Sequence, residues 1–134
     1  MLSYTVWWVF PVAFLIKFSD KRILLTALYG PNTDCPDFYI NRIFTLADEW
    51  LPMHTIYGGD WNLVLDQGKD THNYIHENNV NARNAVIQKM QENNLVDPWR
   101  TLHPDEKRYT WTSGSRPTKF ARLDFWNRCI PILS

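Results

Sequence analysis

The sequence predicts an α/β domain built around a mixed β-sheet, and three observations support this fold class. Short apolar runs of strand length alternate along the chain with segments whose apolar residues recur every three or four positions. Two adjacent apolar runs are separated only by a tight turn, so at least one pair of strands is antiparallel. The chain has 134 residues, of which 45% are apolar, and this suits one compact domain with a buried core.

Charge and cysteine content restrict the function only partly. The formal net charge is zero, so composition alone does not indicate a nucleic-acid partner. The stretch from Arg100 to Arg128 has a positive net charge, because it contains seven Lys and Arg residues and three acidic ones. This basic segment could face a polyanion or form an ordinary solvated surface. The two cysteines, Cys35 and Cys129, do not make a disulfide framework and favour a reducing compartment.

The N-terminal segment over residues 1–16 contains no charged side chain. It is short for a membrane span, is interrupted by Pro11 and lacks the basic start of a signal peptide. A membrane anchor over these residues is one alternative. We favour a buried strand that follows an atypical apolar segment, and we divide the chain into residues 1–11 and a domain over residues 12–134.

Five strands are predicted from apolar or alternating patterns. The first two are joined by a tight turn at residues 19–22 and form a hairpin. Residues 66–79 and 95–107 are predicted to be loops. Asn127 and Arg128 are expected to interrupt the apolar pattern beyond the last strand. The predicted strands cover residues 12–18, 22–29, 54–65, 108–113 and 121–126.

Two amphipathic helices are predicted between the strands. The first begins near Pro36, with Asp34 or Cys35 as its cap, and ends before Pro52. The second is capped by Asn81. Each presents one apolar face at helical spacing. These faces consist of Ile40, Ile43, Phe44, Ala47 and Trp50 in the first helix and of Ala82, Ala85, Val86, Ile87 and Met90 in the second.

The sequence Gly-Gly-Asp-Trp-Asn at residues 58–62 carries the main candidate chemistry. If the extended conformation persists, Asp60 and Asn62 lie on one face of the strand, because side chains two residues apart point the same way. A carboxylate can take a proton from water, and an amide can donate to a phosphoryl oxygen. Gly58 and Gly59 would let a ligand approach the backbone closely. The alternative is an ordinary turn in which both polar side chains bond the local backbone.

Other aromatic residues and histidines are assigned simpler roles. Trp61 is predicted to be a core residue, because it points away from its two polar neighbours. Trp99 and Trp111 could stack on bases, but packing is the commoner role of tryptophan and is favoured for both. His72 and His76 are four residues apart, as helical metal ligands can be. A solvated loop is favoured, because the glutamate of the metalloprotease signature is missing between them.

Several short motifs occur in a defined order along the chain. They are LYGPN (28–32), GGDWN (58–62), NLVDPWR (94–100) followed by YTWTSG (109–114), and ARLDF (121–125). This ordered set resembles the endonuclease/exonuclease/phosphatase superfamily, and within it looks most like the endonuclease domain of LINE-type (non-LTR) retrotransposons. The resemblance covers roughly residues 12–126. It implies a four-layer α/β-sandwich of two mixed sheets flanked by helices, with the first sheet largely missing from this chain.

The resemblance implies a catalytic role for four residues. Tyr29 would contact the scissile phosphate, and Asn62 would bind it. Asp60 would orient or deprotonate the attacking water, or protonate the leaving oxygen. Asp124 would pair with a catalytic histidine that lies further along the chain in the family.

Six further residues are predicted to bind phosphate or DNA. The resemblance assigns Asn32 to the polar end of a strand and Thr110 to the DNA-contacting surface. Positive charge alone makes four more side chains candidates for phosphate contact, namely Arg100, Arg116, Lys119 and Arg122.

The resemblance also implies Mg²⁺-dependent nicking of DNA that leaves a 3′-hydroxyl. The parent protein would be a polyprotein with a reverse transcriptase domain, located in the nucleus or cytoplasm. The magnesium-binding glutamate of the family has no counterpart, since residues 1–28 contain no glutamate, so we assign no metal ligand in this chain. The SDH motif that supplies the partner histidine is absent after Asp124.

We therefore predict a partial domain with reduced or no catalysis. Each lost electrostatic or acid–base element typically costs about 10²–10⁴ in rate. Two alternatives to a nuclease fragment are left open by the sequence. One is a DNA-binding remnant without catalysis, and the other is a membrane-anchored protein directed by residues 1–16.

Overall fold

The computed structural model of the chain describes residues 3–4, 11–50 and 54–129. The predicted helix end at Pro52 and most of the apolar segment 1–11 lie outside these residues. Among the helices that the structure describes, none has the length and apolar character needed to cross a membrane.

Two sheets organise the chain. The strands are β1 (Ser3–Tyr4), β2 (Val12–Phe18), β3 (Lys21–Tyr29), β4 (His54–Asp60), β5 (Thr71–His72), β6 (Leu95–Val96), β7 (Trp111–Thr112), β8 (Phe120–Ala121) and β9 (Asp124–Cys129). The larger sheet has the order β1-β2-β3-β4-β9-β6, and the smaller one has the order β5-β8-β7. Strands β3 and β4 are parallel, whereas the other neighbours are antiparallel. The predicted mixed α/β sandwich is confirmed, with one small sheet beside the six-stranded one.

The predicted hairpin is present as β2 and β3. Phe18 pairs with Lys21, so the turn consists of only Ser19 and Asp20. Ser19 has a φ of 56°, the left-handed conformation that tight hairpin turns require. The turn places the apolar side chains of the two strands in register.

The smaller sheet and the last strand differ from prediction. The loop over residues 66–79 contains a helical turn and β5, since Asp66 accepts a hydrogen bond from Lys69 N and starts that turn. The strand predicted over residues 108–113 is only two residues long. Strand β9 continues through Asn127 and Arg128, so the expected interruption is wrong. Backbone pairing with β4 and β6 on its two sides keeps these polar residues extended.

The two predicted helices are present, but neither Asp34 nor Asn81 is the N-cap of the helix for which it was predicted. The first consists of a π-helix, Phe38–Phe44, and α1, Thr45–Trp50. Asp34 does not cap it; its carboxylate accepts hydrogen bonds from Asn81 N at 3.1 Å and Ala82 N at 2.7 Å. Asp34 therefore caps the second predicted helix, Val80–Glu92, although the two are far apart in the chain. Asn81 was predicted to have this role. The remaining helices are α2 (Gln67–Asp70), α3 (Val80–Glu92) and α4 (Pro98–Leu102).

Trp61 is the centre of the core, as predicted. It is fully buried and stacks on Phe125 with ring centroids 5.0 Å apart. Its indole N–H donates to Phe125 O at 2.9 Å, and Tyr39 stacks on its other side. The core role predicted for Trp111 is wrong, since its side chain is 40% exposed. Trp99 is half-buried and lies under the guanidinium groups of two arginines.

The helices cover one face of the six-stranded sheet. On that face Leu24, Thr26 and Leu28 of β3 are at most 4% exposed. The side chains between them, on the opposite face, are half-buried at Leu25 and exposed at Ala27. The described core cluster joins Leu28 to residues of the π-helix and α3, so the main core lies between the sheet and the helical layer.

We expect Asp34→Ala to destabilise the protein by about 1 kcal/mol, because the first N–H groups of α3 lose their acceptor. Urea unfolding followed by circular dichroism measures the loss. Asp37→Ala is the matched control, because Asp37 precedes the π-helix and makes no capping hydrogen bond with its side chain. Equal stability of the two variants would contradict the assigned role of Asp34.

Candidate active site

Three of the predicted catalytic residues form one row across the sheet. Tyr29 ends β3, Asp60 ends β4 and Asp124 begins β9. Asp60 is the Cα partner of both Tyr29 and Asp124 in the two strand pairings. Parallel β3 and β4 finish at the same edge of the sheet, and antiparallel β9 starts there. The sheet topology thus brings together residues that are up to 95 positions apart in the chain.

Asn62 joins this row through a turn and not through an extended strand. Strand β4 ends at Asp60, and Asn62 has a φ of 50°. The Asp60 carboxylate accepts a hydrogen bond from Asn62 N at 2.9 Å. The expectation that both side chains share a strand face is therefore wrong. The backbone instead forms the turn that was considered as the alternative. This turn keeps Asp60 and Asn62 side by side.

Three loops hold Asn62 in place. Its side-chain Nδ2 donates to Gly30 O at 2.5 Å, and Asn79 Nδ2 donates to its carbonyl oxygen at 2.7 Å. Gly30 N in turn donates to Asp60 O at 2.7 Å. An amide nitrogen carries two hydrogens, so Nδ2 keeps one for an oxygen of a ligand. Asn79 was not predicted, because its partner is 17 residues away and no local pattern marks the contact.

The glycines before Asp60 serve the packing of the sheet. A Cβ at Gly58 would collide with the ring of Trp126, which lies opposite on β9. Gly59 has a φ of 129°, and a Cβ there would collide with Leu28 O. The space beside these glycines is therefore filled by Trp126 and by the backbone of Leu28, and it is not open to a ligand as the sequence predicted.

Electrostatics distinguish Asp60 from an ordinary surface carboxylate. Its partial burial raises the pKa, and the neighbouring Asp124 carboxylate raises it further. The hydrogen bond from Asn62 N acts in the opposite direction without cancelling the effect. A carboxylate whose pKa is raised binds a proton more readily, which suits the acceptance of a proton from water.

A cleft of about 350 Å³ adjoins Asn62. Amide side chains such as Asn32 and Asn79 line it together with two aromatic rings, Tyr74 and Trp111. Amides exchange hydrogen bonds with sugars, bases and phosphates, and exposed aromatic rings stack on bases. Asn32, which was predicted to bind phosphate or DNA, thus lines the same cleft as Asn62. Trp111 also lines this cleft and is a further candidate for ligand contact.

Two of the four basic residues predicted to bind phosphate are structural. Arg122 is 4% exposed and donates to Asp70 at 2.9 Å and to Asp97 at 2.5 Å. Arg100 donates to the same Asp70 oxygen at 2.6 Å. Both guanidinium groups are engaged by buried carboxylates, so Arg122 in particular is not available to a phosphate. No local pattern marks these partners, which lie 52 and 25 residues from Arg122 along the chain.

The other predicted DNA-contacting residues lie on the smaller sheet and its loop. Thr110 Oγ1 accepts hydrogen bonds from Leu123 N at 3.0 Å and Asp124 N at 3.2 Å, so it fixes the start of β9. Arg116 is exposed. Lys119 is half-buried, with its ammonium 5.6 Å from the centre of the Tyr74 ring. Arg116 and Lys119 remain candidates for phosphate contact.

The described residues do not assemble a metal centre. Within residues 3–4, 11–50 and 54–129, no group of three His, Cys, Asp or Glu residues lies close enough to hold a metal ion. His72 and His76 are both exposed. Asp60 and Asp124 are hard oxygen donors of the kind that Mg²⁺ accepts, but two carboxylates alone make an incomplete cage.

Comparison with known proteins supports the fold. No family model matches the chain. The endonuclease domain of TRAS1, a telomere-specific non-LTR retrotransposon, is 16% identical over 89% of this chain and 50% of its own, with a TM-score of 0.60. The AP endonuclease LMAP from Leishmania major is 18% identical over 89% and 45%, with a TM-score of 0.65. The 3′-5′ exonuclease NExo from Neisseria meningitidis is 21% identical over 89% and 52%, with a TM-score of 0.60.

The chain spans about half the length of these solved structures. At such low identity the similarity establishes the fold alone. The chain therefore has the α/β-sandwich fold of the endonuclease/exonuclease/phosphatase nucleases, and the resemblance inferred from the motifs is confirmed at that level.

We expect Asp60→Asn to stabilise the protein at neutral pH. A carboxyl pKa that is raised on folding means that the ionised form opposes folding once the pH exceeds that value. Below about pH 3 the carboxyl is protonated in both states, so the advantage of the variant disappears. Asparagine keeps the oxygen that accepts the Asn62 N–H.

Urea unfolding at the two pH values measures this difference. Asp20→Asn, in the exposed hairpin turn, controls for the loss of one negative charge. An Asp60→Asn variant that is less stable than the wild type at neutral pH would contradict the electrostatic account.

We expect Arg122→Met to cost about 3–5 kcal/mol, because it leaves Asp97 and part of Asp70 as buried charges without a partner. Arg116→Met, at an exposed position in the same part of the chain, should change stability by less than about 0.5 kcal/mol. Denaturant unfolding of both variants distinguishes a structural arginine from a surface one. A loss below about 1 kcal/mol for Arg122→Met would show that the buried pairs contribute little.

Proposed function

We propose that residues 12–134 form the phosphate-handling part of a DNA endonuclease domain of the non-LTR retrotransposon type. The observation that carries the proposal is the row of Tyr29, Asp60 and Asp124, with Asn62 held beside it. This edge of the sheet combines a carboxylate whose pKa is raised, an amide donor and a phenol. Together these groups are suited to binding and hydrolysing a phosphodiester. The nuclease fold of the chain agrees with this assignment.

The proposed chemistry is hydrolysis of one strand of a DNA duplex. Water attacks the phosphorus and passes a proton to Asp60, while the bond from phosphorus to the 3′-oxygen breaks. The 3′-oxygen takes a proton from solvent and leaves as a hydroxyl, and the phosphate stays on the 5′-oxygen. Asn62 Nδ2 and the Tyr29 hydroxyl donate hydrogen bonds to the phosphate oxygens, on which negative charge develops. Asp124, held by Thr110 Oγ1, contributes to the pKa of Asp60 from the neighbouring strand.

Turnover by this chain is proposed to be weak or absent. Mg²⁺ would neutralise charge on the phosphate, but the described residues offer no group of three metal-binding side chains. Residues 125–134 contain no histidine that could pair with Asp124. In the parent polyprotein, the domain would act beside a reverse transcriptase in the nucleus or cytoplasm.

A DNA-binding role without catalysis is the second candidate. Exposed basic side chains remain at Lys107, Arg108, Arg116 and Arg128 after Arg100 and Arg122 are assigned to buried pairs. Their contacts would be with the DNA backbone and would not depend on the row of Tyr29, Asp60 and Asp124.

Duplex binding by fluorescence anisotropy at low salt tests the assignment. We expect Asn62→Gly to weaken binding, because it removes an amide donor while glycine tolerates the positive φ. We expect Asp60→Asn to strengthen binding, because it removes a negative charge near the phosphate. Asn84→Ala, at an exposed position of α3, serves as the control, because glycine would weaken that helix through its larger loss of conformational entropy.

The pattern of these variants separates the two candidates. Opposite changes at Asn62 and Asp60 support a phosphate site at the row, whereas equal affinities with wild-type salt dependence indicate binding by the basic surface alone. No binding at low salt would contradict both. Nicking of supercoiled plasmid by the wild type and not by Asp60→Asn would overturn the proposed inactivity and support the nuclease site.

A further inference from the structure

Three hydrogen bonds hold Asn62 in its turn. Its backbone N–H donates to the Asp60 carboxylate at 2.9 Å, and its side-chain Nδ2 donates to Gly30 O at 2.5 Å. Its carbonyl oxygen accepts a hydrogen bond from Asn79 Nδ2 at 2.7 Å. Asp60 belongs to the row at the sheet edge, and Gly30 contributes only its backbone. Of these three partners, Asn79 alone has a side chain that can be removed without changing the row.

The side chain of Asn79 is not used by the helix that it begins. Asn79 is the N-cap residue of α3, and its carbonyl oxygen accepts a hydrogen bond from Arg83 N at 2.9 Å. An asparagine at this position commonly caps its own helix through its side chain. The Asn79 side chain makes no such bond, and its amide donates to the distant Asn62 carbonyl instead.

The start of α3 is a firm support for this contact. Ala82 and Val86 of the helix are fully buried and belong to the core cluster. The Asp34 carboxylate replaces the missing side-chain cap, because it accepts a hydrogen bond from Ala82 N at 2.7 Å. The backbone and side chain of Asn81 donate to the same carboxylate. Packing and hydrogen bonds therefore both fix the end of the helix from which Asn79 reaches Asn62.

These contacts close into a ring of three segments. Asp34 lies on the loop that follows Gly30, and the Gly30 carbonyl oxygen accepts the Asn62 amide. The ring therefore runs from this loop to Asn62, from Asn62 to Asn79, and through α3 back to Asp34. It forms part of the wall of the cleft, since Asn32, Asn62 and Asn79 all line it.

We propose that Asn79 is a positioning residue for the phosphate-binding amide of Asn62. The inference rests on the proposed function, in which Asn62 Nδ2 donates to a phosphate oxygen. By holding the carbonyl oxygen of Asn62, Asn79 maintains the turn in which Nδ2 keeps one hydrogen for the ligand. A donor that is already ordered loses less conformational freedom on binding, so its contact contributes more to the affinity. Asn79 thus acts on DNA through Asn62.

Asn79→Gly removes the donor and keeps the backbone conformation accessible, because glycine tolerates the φ of 53°. We expect this variant to bind a short DNA duplex at low salt about two- to tenfold more weakly, as for the loss of one hydrogen bond. Asn94→Gly is the matched control and should bind as the wild type does. Asn94 has the same φ and is exposed, but it lies after the far end of α3.

A double-mutant cycle separates positioning from other roles of Asn79. In the Asn62→Gly background, Asn79→Gly should cause no further loss of affinity, because the amide that it positions is already gone. Equal losses in both backgrounds would show that Asn79 contacts DNA itself or acts only through stability, and would overturn the proposal. Unchanged affinity of Asn79→Gly, where Asn62→Gly binds more weakly, would also overturn it.

Asn79→Asp is a second variant that keeps the size of the side chain. Aspartate tolerates the left-handed conformation but cannot donate to the Asn62 carbonyl. Asn78→Asp is its control, because Asn78 lines the same cleft and the change adds the same charge. We expect Asn79→Asp to bind the duplex more weakly than Asn78→Asp, and equal affinities would contradict the positioning role.

The side-chain amide resonances of Asn62 in the ¹⁵N-labelled chain without DNA test the contact independently of the proposed function. Asn79→Gly should shift them, and Asn94→Gly should leave them in place. Unchanged Asn62 resonances in Asn79→Gly would overturn the positioning role alone. If Asn62→Gly binds DNA as tightly as the wild type, the proposed phosphate site is wrong, and this inference falls with it.

Discussion

The burial of Trp61 fixes the geometry on which the candidate site depends. Trp61 stands between Asp60 and Asn62 in the chain, and its ring is enclosed by Phe125 and Tyr39. Its backbone N–H donates to Leu123 O at 2.9 Å, and its carbonyl oxygen accepts from the Tyr39 hydroxyl. One fully buried side chain therefore anchors both polar neighbours and ties them to the segment that begins β9. Large buried aromatic rings contribute strongly to stability, so this arrangement stabilises the positions of Asp60 and Asn62.

A second set of buried contacts secures the site from the side of the smaller sheet. Arg122 binds Asp70 and Asp97, and its backbone N–H donates to Asp70 O. This network lies two residues before Asp124, whose N–H is held by Thr110. Charges so deeply buried require partners, so the acids and the arginine constrain one another. The basic character of the C-terminal third therefore serves the interior as well as the surface.

Sequence patterns predicted the parts of the fold that depend on neighbours in the chain. Apolar runs identified the hairpin and β4, and helical spacing identified the π-helix with α1 and also α3. Contacts between distant residues were not predictable in this way. Asp34 is 48 residues from the Ala82 N–H that it binds, and Arg122 is 52 residues from Asp70. The motif order located the row of Tyr29, Asp60 and Asp124, but only the structure showed that Asn62 reaches it through a turn.

The central claim is that the edge formed by Tyr29, Asp60 and Asp124, with Asn62, handles a phosphodiester. Titration of a short DNA duplex into the ¹⁵N-labelled chain, followed by NMR, tests this claim directly. The account predicts that the side-chain amide of Asn62 and the backbone N–H groups of Gly30 and Asn62 show the largest chemical-shift changes. Changes confined to the basic residues Lys107 and Arg108, with Asn62 unaffected, would contradict it.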